Sequence, residues 1–488
     1  MISLRDYQTG LVHDVREQFR AGCKAPLVVS PTGSGKTVLF AYIAQQMGLR
    51  NRRVVILVHR QELLDQTSRT LREFGVAHGL IAAGRTPDPL VHVQVASVQT
   101  LVRRLGSILP PDLIIVDEAH HAAAGSWKKV IAAYPNARLL GVTATPERLD
   151  GKGLRDVFDA LVRGPEVADL IAQGFLAVPR YYTPPSGVDM ADAKISGGDY
   201  RREDAEAAVD KPRITGDAVE HYRKLCPGKP AVAFCASIKH AEHVAEQFRL
   251  SGFRAATLDG TLTDHDRRER VRDLGNGRLH VLSSCEIINE GFDLPIVTAA
   301  ILLRPTASLG LHLQQIGRVL RPAPGKEHAI ILDHVGNVHR HGLAEEMRDW
   351  SLDGAKARKA KKKVDEPEVK FRQCPSCYSC HAPSPKCPEC SHVYEIKHRE
   401  IEQVAGELVE LGDARHQQCP ECSHVHSRFD ASCPKCGHVH DATRARKKEQ
   451  SKAQTLQDLI ELGRRRGYKN PHVWANFVWK SRQNRRAA

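Results

Sequence analysis

The chain has 488 residues, 41% apolar and 26% charged, with a formal net charge of +14. That length supports two or three domains with sizeable cores, and the composition is that of an ordinary globular chain. No apolar run approaches the roughly 20 residues that cross a bilayer, and no basic region followed by an apolar stretch opens the chain; a cytoplasmic protein without membrane partners is expected.

The first candidate strand, 27–30, runs into Ser30-Pro31-Thr32-Gly33-Ser34-Gly35-Lys36-Thr37, and 38–46 reads as a helix. Glycines let such a loop curl until its N–H groups face phosphate oxygens at a helix N-terminus. A lysine at position 36 reaches the β- and γ-phosphates, and the Thr37 hydroxyl ligates Mg²⁺. Ser30 stands where the general pattern has its first glycine. Further strand candidates follow at 54–58, 91–96, 113–116 and 139–143, interleaved with helical patterns. This alternation predicts a doubly wound parallel sheet with ligand loops at the carboxyl ends of its strands. Asp117 and Glu118 follow the apolar run 113–116, so both emerge at a strand end. One carboxylate to hold a metal and a neighbour to orient a water is the minimum equipment for hydrolysing a γ-phosphate.

A stretch richer in Pro and Gly follows, and 166–215 reads as a connector. Alternation resumes with strand candidates at 231–235, 255–258, 280–283, 299–303 and 329–332, a second sheet without a phosphate loop. Its contribution lies in Gln314-Gln315-Ile316-Gly317-Arg318-Val319-Leu320-Arg321. On a helix Gln314, Arg318 and Arg321 share a face, and arginines presented across an interface stabilise charge on a transferring phosphoryl group.

Nine of the thirteen cysteines lie between Cys374 and Cys436. Cys374/Cys377, Cys387/Cys390, Cys419/Cys422 and Cys433/Cys436 form four C-x-x-C knuckles, and Cys387-Pro-Glu-Cys-Ser-His-Val recurs from Cys419. Two knuckles close one tetrahedral thiolate site, so two structural Zn²⁺ ribbons are expected; Cys380 and His381 are spare ligands, and the inner knuckles could pair instead across 396–411. From Arg444 to Ala488, thirteen Lys and Arg face three Asp and Glu. A tail this basic suggests a polyanionic partner, with its aromatics forming the core of a small helical hairpin.

Together with Leu4-Arg5-Asp6-Tyr7-Gln8, Val58-His59-Arg60-Gln61-Glu62, Ser97-Val98-Gln99-Thr100, Thr143-Ala144-Thr145-Pro146 and Glu290-Gly291-Phe292-Asp293, these segments resemble the ordered motif set of a superfamily two DEAD/DEAH-type helicase over residues 1 to about 340. With the cysteine-rich region they resemble the bacterial RadD family and related phage helicases. The resemblance implies an ATP hydrolase with two RecA-like domains, 1–165 and 216–345, then a basic linker 346–372, zinc ribbons 373–440 and a basic helical tail 441–488. It implies ATP, Mg²⁺ and Zn²⁺ as cofactors. Nucleic acid is the implied partner, DNA ahead of RNA, with repair or recombination proteins meeting the C-terminal region. By resemblance, Arg5 and Gln8 meet the adenine, Pro31, Thr32, Gly33, Ser34, Gly35, Lys36 and Thr37 cradle phosphate, and Asp117 holds Mg²⁺ with Thr37. Glu118 is the general base, Gly291 and Asp293 line the nucleotide from the second domain, and Gln314, Arg318 and Arg321 complete the site. Three alternatives stand beside this reading: a restriction-type translocase subunit, an RNA helicase, and a zinc-ribbon scaffold with little motor activity.

Overall fold

The computed structural model describes residues 3–353 except 86, 149–150, 185–187, 287 and 289–293; residues 371–394; 416–440 except 428–429; and 449–486 except 451–452, 454 and 469. Gly291 and Asp293, the basic linker run 356–363 and the segment 396–411 lie outside the described residues. The chain divides into two compact units, Met1–Glu395 and Ile396–Ala488.

The first domain of the larger unit runs α1 (Asp6–Arg20), β1 (Pro26–Val29), α2 (Lys36–Gly48), β2 (Val54–Val58), α3 (Gln61–Glu73), β3 (His78–Ile81), β4 (Val93–Ser97), α4 (Val98–Leu101), β5 (Leu113–Asp117), α5 (Gly125–Ala133), β6 (Arg138–Thr143) and β7 (Ala160–Arg163). Its seven strands lie in the order β3-β4-β2-β5-β6-β1-β7, all parallel. The central strands are apolar throughout because helices cover both faces, as a parallel sheet requires. Leu39, Phe40 and Leu64 fill one face and Leu57, Trp127 and Phe158 the other. Strands β5, β6 and β1 are neighbours, so the loops after them emerge side by side.

The second domain runs α6 (Val167–Ala172), β8 (Val178–Tyr182), the hairpin β9 (Ile195–Ser196) and β10 (Asp199–Tyr200), α7 (Arg202–Val209), α8 (Pro212–Leu225), β11 (Ala231–Phe234), α9 (Ile238–Leu250), β12 (Ala255–Leu258), α10 (Asp264–Gly275), β13 (Val281–Ser284), β14 (Ala299–Leu302), α11 (Leu309–Gly317), β15 (His328–Asp333) and α12 (Asn337–His341). Strands β12-β13-β11-β14-β15-β8 form a second parallel sheet. Both sheets are RecA-like and doubly wound.

Residues 166–215 differ from the expected connector. β8 is a strand of the second sheet, with Tyr181 1% exposed in the main second-domain core beside Leu170, Leu176 and Val209. Its Pro179 and Arg180 hide the pattern, and the Tyr181 hydroxyl is held 2.8 Å from Glu345, far along the chain.

After α12 the chain turns back onto the first domain. Leu352 is 3% exposed in the first-domain core, its carbonyl accepts from Leu154 N at 2.8 Å, and Arg163 meets Asp349 at 2.5 Å. This strap ties the end of the second domain to the first. The next described segment, with β16 (Arg372–Gln373) and β17 (Ser379–His381), returns to the second sheet, where β17 pairs antiparallel with β8. In the smaller unit β18 (His416–Gln418) and β19 (Val425–Ser427) form a two-stranded sheet. There α13 (Leu456–Arg465) and α14 (Pro471–Arg486) form a hairpin around Leu459, Ile460 and Ala475. Among the described residues no helix is long and apolar enough to cross a membrane.

Candidate functional site

The phosphate loop leaves β1 and enters α2. Gly33 and Gly35 have φ of 89° and 75°, the left-handed backbone that glycine adopts without strain. A Cβ at Gly35 would lie 2.6 Å from Gln8 Nε2, so the loop's curl and its contact to α1 both need that glycine. Ser30 is accommodated because its hydroxyl donates to Ser34 Oγ at 2.7 Å, stapling the loop across its base. The Lys36 ammonium rests on the carbonyls of Ser30 and Pro31, each at 3.2 Å. Pro31, Thr32 and Thr37 are half-buried along the same curl.

The acid pair arrives on β5. Asp117 is 5% and Glu118 8% exposed, and Asp117 Oδ1 accepts from Glu118 N at 3.0 Å. Glu118 sits at φ 49°, a conformation that costs a non-glycine residue about 1 kcal/mol or more and turns the chain sharply off the strand. Its Oε2 is buried without a hydrogen-bond partner, an orphaned acceptor suited to a water molecule. His120 stands 3.5 Å from that oxygen and 3.2 Å from Thr143 Oγ1. Thr143 Oγ1 in turn donates to Thr145 O at 2.9 Å. A polar chain thus joins the acid pair to the loop after β6.

The second domain reaches this cleft through α11. A Cβ on Gly317 would lie 2.4 Å from Thr32 Cβ, and one on Gly310 would lie 3.1 Å from Thr145 Oγ1. Both ends of α11 therefore abut loops of the first domain. The helix ends at Gly317, so Arg318 caps it and Arg321 lies beyond it rather than on one helical face with Gln314. Gln314 and Arg318 are 6% exposed, and Arg321 Cγ is 3.6 Å from the position a Gly33 Cβ would take. The charges converge on Lys36. Desolvation in the cleft lowers its pKa, Glu118 and Asp117 raise it, and Arg318 and Arg321 lower it. On the outer rim, Arg267 of α10 meets Glu62 of α3 at 3.4 Å.

At the base end, the Gln8 amide nitrogen donates to the carbonyls of Ser34 and Gly35 at 3.2 and 3.3 Å, and its oxygen accepts from Arg5 N at 3.0 Å. The Arg5 guanidinium lies 4.1 Å over the Phe175 ring, and Tyr7 packs against the same ring at 5.6 Å while donating to Ser34 O at 2.7 Å. Sequence reasoning missed Phe175, Tyr7, Leu176 and His120. Tyr7 and His120 lie inside motifs already singled out, and Phe175 lies in the stretch taken as a connector. Leu176 Cδ2 would sit 2.9 Å from a Gly33 Cβ, and Ala177 N donates to Leu320 O at 2.7 Å. Residues 175–177 thus link the phosphate loop to the segment that follows α11.

The cysteines gather as two sets of four, Cys374/Cys377/Cys387/Cys390 and Cys419/Cys422/Cys433/Cys436, with ligand atoms within 4.8 Å of one another in each. Sulfur pairs stand at 3.5 and 3.6 Å in both, too long for a disulfide and close to the ~3.8 Å edge of a tetrahedron with ~2.3 Å Zn–S bonds. Burial alone would raise the Cys374 and Cys433 thiols, but backbone N–H donors and neighbouring sulfurs hold each down to about 6. These donor sets fit zinc, and four thiolates leave no open position for catalysis. Cys380 lies outside both sets and packs in the second-domain core.

The sequence profile described as "Type III restriction enzyme, res subunit" matches residues 1–148, and that described as "Helicase conserved C-terminal domain" matches 217–323. A "51.5 kDa protein" of a Lactococcus phage is 36% identical over 396 residues, spanning 79% of this chain and 83% of that protein. The "DNA 3'-5' translocase XPB2" of Sulfurisphaera tokodaii is 25% identical over 365 residues, 66% of this chain and 79% of that one. A solved fragment assigned to an HsdR subunit of a type I restriction enzyme from Vibrio vulnificus has the same fold, with a TM-score of 0.56 at 20% identity over 70% of this chain and 65% of that one.

Proposed function

The chain belongs to the superfamily two helicases, and on that premise we propose that it is a DNA-stimulated ATPase that moves along DNA by closing and reopening the cleft between its RecA-like domains. The observation that carries this reading is the convergence of Asp117, Glu118, Arg318 and Arg321 on Lys36, acids from one domain and guanidinium groups from the other. Lys36 and the N–H groups of residues 32–37 bind the phosphates. Glu118, with its unpartnered Oε2, takes the proton of the attacking water. Arg318 and Arg321 stabilise negative charge on the transferring phosphoryl group, a role worth about 10³–10⁵ in rate where it is lost elsewhere. Thr37 and Asp117 would hold Mg²⁺, which when bound neutralises phosphate oxygens. Gln8 reads the adenine edge, giving up the carbonyls of Ser34 and Gly35, so base binding and loop geometry are linked. Gly291 and Asp293 are proposed to line the nucleotide from the second domain.

Loss of the γ-phosphate removes the bridge between Lys36 and the arginine pair and lets the cleft reopen. His120, Thr143 and Thr145 carry that change toward the α11 N-terminus. A RadD-like role in DNA repair or recombination in the cytoplasm is the biological setting we propose, with the zinc ribbons as partner-binding or DNA-binding parts. The restriction-type profile over residues 1–148 favours one second reading, a translocase subunit of a restriction machine, which would co-purify with a nuclease or methylase.

ATP turnover measured with single-stranded DNA, duplex DNA and RNA across salt tests the reading. DNA should stimulate at least tenfold over RNA, and affinity should fall with a slope of about −0.7 to −0.9 per phosphate neutralised. Equal or greater stimulation by RNA overturns the DNA assignment, and no stimulation by any of them overturns the motor.

A further inference from the structure

The two cysteine ribbons are copies of one fold, and the first shows what the second is built to do. Their hairpins share one register. β16–β17 pairs Arg372 with His381 and Gln373 with Cys380, while β18–β19 pairs Gln417 with His426 and Gln418 with Val425. Tyr378 and Ser423, at φ 59° and 54°, turn the chain at the same place. By that register Val425 corresponds to Cys380, Gln418 to Gln373, and Lys435 to Glu389.

In the first ribbon the outer edge of β17 extends the motor sheet. Ser379 lies opposite Tyr182 and Cys380 opposite Tyr181. Thr183 N donates to Tyr378 O at 3.2 Å, the Gln373 amide donates to Thr183 O, and Glu389 meets Arg180 at 3.1 Å. Cys380 is thereby reduced to 4% exposure in the second-domain core. In the second ribbon β19 pairs only with β18 among the described residues. Val425 is 58% exposed. The Gln418 amide folds back onto Ser423 O at 3.3 Å, covering the carbonyl that corresponds to the docked Tyr378 O. Lys435 is exposed, its charge opposite to that of Glu389.

An unpaired strand edge is a template for another strand, and side-chain charge decides which strand is accepted. We propose that the second ribbon is a strand-donating docking module: β19 adds antiparallel to the free sheet edge of a partner protein that sets an apolar residue against Val425 and a carboxylate against Lys435. The charge exchange between Glu389 and Lys435 directs this ribbon away from the chain's own β8 edge, where Arg180 would repel it. The same repulsion disfavours the β8 edge of a second copy, and the occupant proposed is a different protein. This inference goes beyond the motor assignment and stands or falls independently of it.

The probes are two synthetic peptides covering residues 176–184, one natural and one carrying Arg180→Glu. Each is added to the full-length, zinc-loaded protein, and hydrogen exchange of residues 424–427 is followed with binding anisotropy. The Arg180→Glu peptide should slow exchange there and bind at least threefold more tightly than the natural one. Lys435→Glu should invert that preference, and Val425→Asp should abolish binding of both. Glutamate occupies this position in the knuckles at Glu389 and Glu421, and unchanged zinc stoichiometry verifies that the variant folds. Failure of either peptide to protect β19 up to millimolar concentration overturns the proposal, as does a preference that Lys435→Glu leaves uninverted. Weakened duplex DNA binding by Lys435→Glu, with no effect on peptide, overturns it in favour of a nucleic-acid surface.

Discussion

Gly317→Ala probes the seam between the domains without replacing any side chain proposed to act on the phosphates. The new Cβ would lie 2.4 Å from Thr32 Cβ and 2.8 Å from its Cγ2. Thr32 Cβ is fixed to the loop backbone and cannot rotate away, so α11 must retreat by about 1 Å to reach ordinary contact. A displacement of that size costs about 10²-fold in rate when it misplaces a catalytic group. Arg318 follows Gly317 directly, so ATP turnover at saturating DNA should fall by roughly 10²-fold, about 2.7 kcal/mol of transition-state stabilisation. Nucleotide affinity should change little, because the cradle itself is intact. Steady-state ATPase assays with the mutant and with Gly106→Ala, where nothing lies within 4 Å of the new methyl, separate the seam from general destabilisation. Turnover within threefold of wild type would refute the claim that α11 must seat against Thr32.

Further outcomes follow from the same geometry. Cys387→Ser should cost the second domain on the order of 3 kcal/mol, from several docking hydrogen bonds at about 1 kcal/mol each, lowering its melting temperature by roughly 6–12 °C; Cys433→Ser should leave that transition unmoved in calorimetry. Leu352→Asp should release the strap from the first-domain core and raise protease cleavage near Asp353, whereas unchanged proteolysis contradicts the strap. Acid should unfold the second domain by a definite route. Burial pulls His240 down to about 4 and His334 to about 3, so each stays neutral when folded while the unfolded imidazole protonates near 6.5. Stability is therefore full above pH 6.5 and falls toward pH 4, on the order of 3 kcal/mol for His240 alone. Hydrogen exchange of β11–β15 between pH 7 and 4 reads this directly, and flat protection across that range contradicts it.

Much of the fold was legible because its central strands are continuous apolar runs. The predicted strand 54–58 coincides with β2, and 113–116 ends one residue short of β5. What stayed hidden depends on partners far away in sequence. β8 carries Pro179 and Arg180 in a Pro- and Gly-rich window, and its place in the sheet is decided by β15 and by Glu345, which meets Tyr181. β3 contains only His78-Gly79-Leu80-Ile81, a short edge with little periodicity. At the site, the loop, the acid pair and the segment 314–321 each had a pattern of their own. The meeting of Gly317 with Thr32 had none, because a glycine's closeness to a side chain leaves no trace in spacing. The substitution at Ser30 became intelligible only through its hydroxyl bond to Ser34. The unequal roles of the ribbons were likewise invisible, since their cysteine repeats match closely and the exchanges of Cys380 for Val425 and Glu389 for Lys435 carry no pattern of their own.

In the mechanism we propose, one ATP is shared by the loop of the first domain and Arg318 and Arg321 of the second, and its hydrolysis moves the protein along DNA. Displacement of a third strand from a triplex by the wild-type protein, and by Arg318→Ala and Glu118→Gln, tests it most directly. ATP-dependent displacement by wild type, with both variants binding DNA normally yet displacing nothing above background, is the expected result. Displacement by Arg318→Ala at the wild-type rate would contradict the account.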